Sequence, residues 1–437
     1  MSQQWTSRFG HILAAAGSAI GIGAIWKFSY VTATNGGGAF LIVFLLFSFV
    51  IGLAVLMAEN LLGSSTNEGA VNAFKKLLGK HWGIVGLIGI FSSWCIYSFY
   101  SVVGGWTIGY VAMAAAGELN ITDSNQLTAI FTNFISNPWW PIVTHLVFAS
   151  LTCIVVLAGV QKGLEKAGKI MMPLLIVIMI VLIIIGIRLP GSSAGLKMFL
   201  YPDFDSLTGK GILDALGLAF FSLSIGLGIH VTYSAYLPNN KGIGRSSVWV
   251  VILSCLVCVL AGLMIFPALT AAGLAPNAGP GLTFMTMPIY FAHLPGGTIW
   301  AITFFVLLLM AALTSSISLL EHIVAYVQSR FHWSRRKAGL IVTLSIMLMG
   351  MPVSLSFGAL SGLTLGGKNI FDILDFITSN ILMPLSGIII CLVFGWSPKA
   401  IALIPDNISP LYRKCLLLTW RYIGPACIGI ILVHGLI

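Results

Sequence analysis

Apolar stretches long enough to cross a bilayer recur from Phe9 almost to the C-terminus. A helix needs about 20 such residues to span the hydrocarbon core, and eleven segments meet that requirement: 9–32, 39–64, 84–115, 140–159, 167–188, 210–236, 247–273, 297–330, 336–354, 370–394 and 416–436. Charged residues make up only 8% of the 437 positions, whereas soluble domains use roughly 25%. Runs such as "MMPLLIVIMIVLIIIGI" lack the in-out alternation of a transmembrane barrel, so the backbone must be satisfied within helices. The fold class is an all-α polytopic membrane protein whose first partner is the lipid bilayer.

The net charge of +10 would suit a nucleic-acid partner if the basic residues formed one patch. They alternate with the spans instead. Lys75, Lys76, Lys80, Lys162, Lys166, Lys169, Lys241, Arg245, Arg330, Arg335, Arg336, Lys337, Lys399, Arg413 and Lys414 fall at every second loop, starting with the one between the second and third spans, with Arg8 and Arg421 near helix starts. Only Lys27, Arg188, Lys197, Lys210 and Lys368 fall towards the other side. That asymmetry predicts a cytoplasmic N-terminus and an extracytoplasmic C-terminus in a plasma membrane, the inner membrane of a bacterium. No nucleic acid is expected. The first apolar stretch lacks a cleavage pattern, so no cleaved signal peptide is expected. Six of the seven cysteines lie within spans and Cys415 at a helix start, which supports no disulfide framework; Cys255 and Cys258 read as packing on one helix.

Two spans are built to break. "AIGIG" interrupts the first, and "SLSIGLG", Ser222 to Gly228, interrupts the sixth. The second break comes five helices after the first, an odd number, so a second set of five would run inverted relative to the first. Interrupted helices at corresponding positions of two halves point to a binding site near the membrane midplane. A break frees amides at one new helix end and carbonyls at the other. The amides suit an anion and the carbonyls a small hard cation. The alternative, a continuous helix with Gly17 and Gly21 as a G-x-x-x-G packing face, explains the first break but not the second.

These residues resemble the neurotransmitter:sodium symporters, built on the LeuT fold that illustrates broken-helix transporters in general. The resemblance runs through "WTSRFGHILAAAGSAIGIGAIWKF", "NGGGAF", "LMAEN", "GGWTIGY", "KGLEKAGKIMMP", "YPDF", "AFFSLSIGLG", "LTSSISLLE", "FDILDFITSNILMPLSG" and "RYIGP", in order over nearly the whole chain. It implies one transporter domain: a first inverted repeat over 1–188, a second over 189–394, and an eleventh helix over 395–437, as in the eleven-helix bacterial branch. Nothing in the sequence specifies an oligomeric state.

For the cation site called Na2 in the family, the resemblance implies backbone oxygens of Gly17, Ile20 and Ala311 with the hydroxyls of Thr314 and Ser315. Neutral oxygens suit a hard monovalent ion, since carboxylates favour divalents. At the Na1 site the matching positions are Ala19, Ala24, Ser222 and Ser254. Two family amides are replaced there by Ala24 and Ser254, so Na1 is predicted to be weak or absent and one Na+ to drive transport. Chloride is not expected, because Phe44, Leu218 and Cys258 stand where chloride-using relatives place polar donors, and apolar groups cannot replace an anion's hydration shell.

The implied substrate pocket comprises Ala19, Gly21, Ile22, Gly23, Ile96, Tyr100, Phe221, Ser222, Ser224, Leu227, Ser315 and Leu319. Tyr100 would donate to a substrate carboxylate, the carbonyls of Ala19, Phe221 and Ser224 would take an ammonium, and Ile96, Leu227 and Leu319 would form an apolar compartment. Gly21 replaces the aspartate of amine-transporting relatives, which favours an apolar or aromatic L-amino acid. Lys27 and Asp375 match the outer gate pair, with Tyr100 and Phe221 beneath. At the inner gate the usual ion pair aligns with Ser2 and Ser329 and is lost, leaving Trp5 and Tyr236.

Glu59 and Glu321 lie inside spans and read as neutral acids that satisfy backbone groups rather than as coupling sites. No enzyme constellation is present: no paired aspartates, H-E-x-x-H, or serine with a base. The sequence therefore predicts a sodium-coupled amino-acid importer. A proton-coupled transporter of the same fold, or a transport-inactive sensor or channel, remains the alternative.

Overall fold

The computed structural model describes residues 4–237, 242–273, 282–406 and 408–436; Ser2 and Lys241 lie outside them. The described chain is helical, and eleven segments correspond to the expected spans. We number them α1 (Arg8–Ala19 and Ile22–Thr34), α2 (Gly38–Thr66), α3 (Lys80–Ala115), α4 (Trp140–Leu157), α5 (Val160–Ile187), α6 (Gly209–Ser222 and Ile229–Ala235), α7 (Ile243–Ala271), α8 (Gly297–Phe331), α9 (Arg335–Leu355), α10 (Ile370–Trp396) and α11 (Pro410–Leu436).

Local chemistry sets several helix starts. Ser7, Thr208, Ser334, Asn369 and Ser409 each accept a backbone N–H two or three residues ahead, which satisfies an otherwise orphaned donor at α1, α6, α9, α10 and α11. Outward-facing apolar residues such as Leu46, Ile154, Val177, Leu344 and Leu348 are exposed. In a chain with so few charges these belong against lipid.

One helix organises the interior. Of the most apolar stretch of α8, 72% is buried, against 28% in α5 and in α11. It packs on α3, α4, α5, α9 and the first half of α1. α8 is thus the post beside which the broken helices stand, while α5 and α11 lie at the periphery.

Both breaks are real. The halves of α1 meet at 49° across Ile20 and Gly21, where Ile20 takes φ −95°, ψ 82° and Gly21 is extended. In α6 the interruption runs from Leu223 to Gly228, with Ser224, Gly226 and Gly228 all at positive φ. Ser224 is the costly one, since a side chain in the left-handed region is worth about 1–3 kcal/mol of strain. Its hydroxyl donates to the Ser18 carbonyl at 3.0 Å. The strained residue therefore ties one break to the other.

Candidate functional site

The breaks expose backbone groups, and neighbouring helices meet them. Glu59 on α2, fully buried, accepts the Gly226 amide at 2.7 Å, which is the backbone-satisfying role expected of it. Tyr100 on α3 accepts the Ile22 amide at 3.0 Å, at the fresh N-terminus of the second half of α1. Accepting there leaves the phenol proton free to be donated elsewhere.

On the carbonyl side, the residues expected to form Na2 make two sets of hydrogen bonds between α8 and the α1 break. The Thr314 hydroxyl donates to Ala311 O at 2.9 Å and to Ile20 O at 3.2 Å, and the Ser315 hydroxyl lies 3.3 Å from Gly17 O and 3.0 Å from Ser18 O. Oxygens at right angles around an ion at about 2.4 Å stand roughly 3.4 Å apart, for metal–oxygen lengths of about 2.3–2.6 Å. The observed separations approach those edges. Gly17 is needed there, because a Cβ would stand 3.2 Å from Thr314 Cβ. Among the described residues no group of three or more His, Cys, Asp or Glu could hold a metal.

Eleven of the twelve predicted substrate residues line one small cavity of ≈ 40 Å³, joined by Ala24 and by Ser18, Ser318 and Met383, which sequence reasoning missed. Ile22 is the exception: it lines the neighbouring chamber beside Phe371 and Asp375, and only its amide reaches Tyr100. The signal for Ser18 and Ser318 lay in their positions beside the break and one turn beyond Ser315; the two hydroxyls meet at 2.7 Å. Gly21 and Gly23 hold the cavity open. A Cβ on Gly21 would lie 2.6 Å from the Tyr100 oxygen and 2.8 Å from the Ser315 hydroxyl, and one on Gly23 would lie 2.5 Å from the Phe221 ring.

Of the Na1 positions, Ser254 donates to Ser222 O at 3.2 Å, while Ala19, Ala24 and Ser222 line the cavity. The Ser222 hydroxyl is turned onto Ala219 O at 3.3 Å. Ala24 brings only a methyl to the cavity it shares with Ser222.

The two ends of the pathway differ. Below the cavity, Trp5 is buried; its backbone N–H donates to Tyr236 O at 3.1 Å and its indole to Tyr233 O at 2.7 Å. Tyr236 donates to Glu321 at 2.8 Å. Glu321 is not the neutral backbone-capping acid expected: Arg335, from the start of α9, folds inward and forks onto both its carboxylate oxygens, while its Nε donates to Val156 O at 2.8 Å. A basic residue counted as a loop charge thus supplies the partner, which single-sequence reading could not pair across 14 positions. Ser329 binds Asn72 at 2.6 Å. Glu165 on α5, also buried, accepts from the Thr6 amide at 2.8 Å, from both the Thr6 and Ser7 hydroxyls, and from Lys169 at 2.7 Å. This second anchor of the chain start had not been recognised.

At the other end, Lys27 and Asp375 share a chamber of ≈ 130 Å³ with Tyr100 and Phe221 but form no ion pair: among the described residues only Lys169–Glu165 and Arg335–Glu321 do. Lys27 instead lies over the Phe221 ring, 4.9 Å from its centroid, and Asp375 accepts from Ser379 at 2.8 Å. The predicted gate residues are assembled, and the pair itself is not closed.

The model of the sodium:neurotransmitter symporter family matches residues 2–130 and 127–437. The uncharacterized sodium-dependent transporter YhdH of Bacillus subtilis (strain 168) is 41% identical over 99% of this chain and 97% of its own length. An uncharacterized sodium-dependent transporter of Haemophilus influenzae is 34% identical over 99% and 98%. The crystal structure of MhsT in complex with L-phenylalanine superposes with a TM-score of 0.92 at 41% identity, covering 100% of both chains. The chain belongs to the sodium:neurotransmitter symporter family: it is a multi-pass membrane protein of LeuT fold and a sodium-dependent transporter, not an enzyme.

Proposed function

We propose that this protein imports an apolar or aromatic L-amino acid across a bacterial plasma membrane by alternating access, driven mainly by one Na+ at the Gly17, Ile20, Ala311, Thr314 and Ser315 oxygens. The observation that carries this reading is the hydrogen bonding of those residues between α8 and the α1 break, behind a cavity floored by the same break. Na+ and substrate then share Ser315 and the Gly17–Gly21 turn, so binding one orders the site of the other. That MhsT holds L-phenylalanine supports the substrate class. A substrate carboxylate would meet the Tyr100 proton and the amides at the start of the second half of α1, with its side chain against Ile96, Leu227 and Leu319.

In this reading the Lys27 face is extracellular, the Trp5 face is cytoplasmic, and the repeats over 1–188 and 189–394 rock about the α1 and α6 breaks. The Na1 positions, with Ala24 and Ser254 in place of amides, contribute little, and chloride plays no part.

The test is accumulation in proteoliposomes, preceded by a thermal-shift screen of the twenty amino acids with and without Na+, since a ligand stabilises the state it binds. An inward Na+ gradient should drive uptake of L-phenylalanine or a related apolar amino acid, unaffected by replacing chloride with gluconate. Thr314→Val, which keeps the shape and removes one oxygen, should lower apparent Na+ affinity about tenfold, the value of roughly one hydrogen-bond-sized contact. Uptake driven by a pH gradient without Na+ would move the reading to proton coupling. Na+-stimulated binding without accumulation would identify a sensor.

A further inference from the structure

Phe221 and Lys27 border more than the chamber that holds Asp375. A second, larger chamber of ≈ 590 Å³ opens on the same face, and Lys27, Tyr30 and Phe221 line both. They form the partition. Each chamber contains one carboxylate: Asp375 from α10 in the smaller, Asp214 from the first half of α6 in the larger. Tyr30 stands among Lys27, Asp214 and Asp375, all three close enough to act on it electrostatically. The charged and titratable groups facing Asp214 are Lys210, one turn earlier on its own helix, His434 from α11, and Lys27. Lys27 is in direct salt-bridge contact with neither acid and rests on the Phe221 ring between them.

We propose that Lys27 is shared by two alternative carboxylates, Asp375 and Asp214, and that Asp214 is a positioning residue of this gate, drawing Lys27 into the larger chamber when the path is open. The proposal rests on the alternating-access reading above. A flexible ammonium suits it, because lysine is a point charge on a four-carbon stem and can change partners without matching a planar fork. An acid within a span is functional more often than ornamental. Asp214 has a further geometric basis: it moves with α6, whose break closes the substrate cavity through Phe221. When Lys27 passes to Asp375 it bridges α1 to α10 over the cavity. When it is held by Asp214 it joins α1 to α6 and leaves the smaller chamber clear. The choice of partner thereby reports, and biases, whether Phe221 can close.

The test reads gate opening directly and needs no knowledge of the substrate. A single reporter, Ile96→Cys in the cavity beneath Phe221, is placed in full-length protein with Cys415 and Cys427 changed to serine. It is labelled in nanodiscs by a membrane-impermeant methanethiosulfonate. Asp214→Asn should slow labelling several-fold, because Lys27 then has only Asp375 to go to, and Asp375→Asn should speed it. In a Lys27→Met background neither substitution should change the rate. An Asp214→Asn rate equal to the parent overturns the proposal, and so does a slowing that persists in Lys27→Met, which would mean that Asp214 acts through packing. Should the asparagine variant fail to fold, Asp214→Glu serves: its longer arm should speed labelling in a Lys27-dependent way, and an unchanged rate overturns the proposal. If the alternating-access reading itself fails, labelling at position 96 will not respond to Na+ in the parent protein, a result distinguishable from either.

Discussion

The Trp5 face and the Lys27 face close the same pathway with opposite chemistry. On the Trp5 face the buried indole donates to Tyr233 O and the Trp5 backbone N–H to Tyr236 O, the Tyr236 hydroxyl leans on the Glu321–Arg335 pair, and Glu165 collects the Thr6 and Ser7 donors. On the Lys27 face two chambers lead down to Phe221, and the charges lining them stand apart. The comparison teaches that specific buried bonds tie the Trp5 face together, whereas on the Lys27 face Phe221, Tyr100 and Met383 stand between the chambers and the cavity and Lys27 makes no ion pair with Asp375. Opening the Trp5 face must break a dry, ion-paired cluster. Closing the Lys27 face needs only that Lys27, Phe221 and their partners approach.

The comparison would break most visibly at Arg335. Arg335→Met leaves Glu321 buried and unpaired, and removing one partner of such a pair costs about 3–5 kcal/mol. A large fall in melting temperature in detergent is expected, largely recovered by adding Glu321→Gln; a melting temperature equal to the parent would show that the Trp5 face is not held by this pair. Between the faces, Gly21→Ala drives a Cβ against Tyr100 and Ser315. Overpacking of this kind costs about 1–3 kcal/mol, and here it falls on the substrate site, so uptake should drop by one to two orders of magnitude with little loss of fold. Retained uptake would remove Gly21 from the pocket. The smallest effect belongs to the Lys27 face: Asp375→Asn should change thermal stability by less than about 1 kcal/mol, the range of solvent-exposed pairs. A loss as large as that of Arg335→Met would erase the contrast between the faces.

Much of the centre was legible in the sequence because its chemistry is local. Glycines at 17, 21 and 23 and the "TSS" of α8 are short signals whose physical meaning, backbone exposure and neutral oxygens, survives without knowing the fold. The resemblance then placed Ile96, Tyr100 and Leu319 around them. What stayed hidden is what depends on pairing between distant segments. Arg335 looks like any positive-side loop residue until its side chain is seen to fold inward from the exposed start of α9 onto Glu321. Glu165 sits in a run of lysines, so its grip on Thr6 and Ser7 could not be read from either stretch. Asp214 was simply one acid in a long apolar segment, and only the shared chamber shows that Lys27, besides Lys210 and His434, stands near it. Ile22 lines the neighbouring chamber and offers its amide to Tyr100.

The central claim is that one Na+, held by five neutral oxygens at the α1 break, drives the cycle. Titrating Na+ against the initial rate of amino-acid uptake in proteoliposomes tests it most directly. The account predicts a Hill coefficient near one whose midpoint shifts upward in Thr314→Val and is unmoved in Ser254→Ala. A coefficient near two, or a midpoint indifferent to Thr314 and sensitive to Ser254, would contradict it.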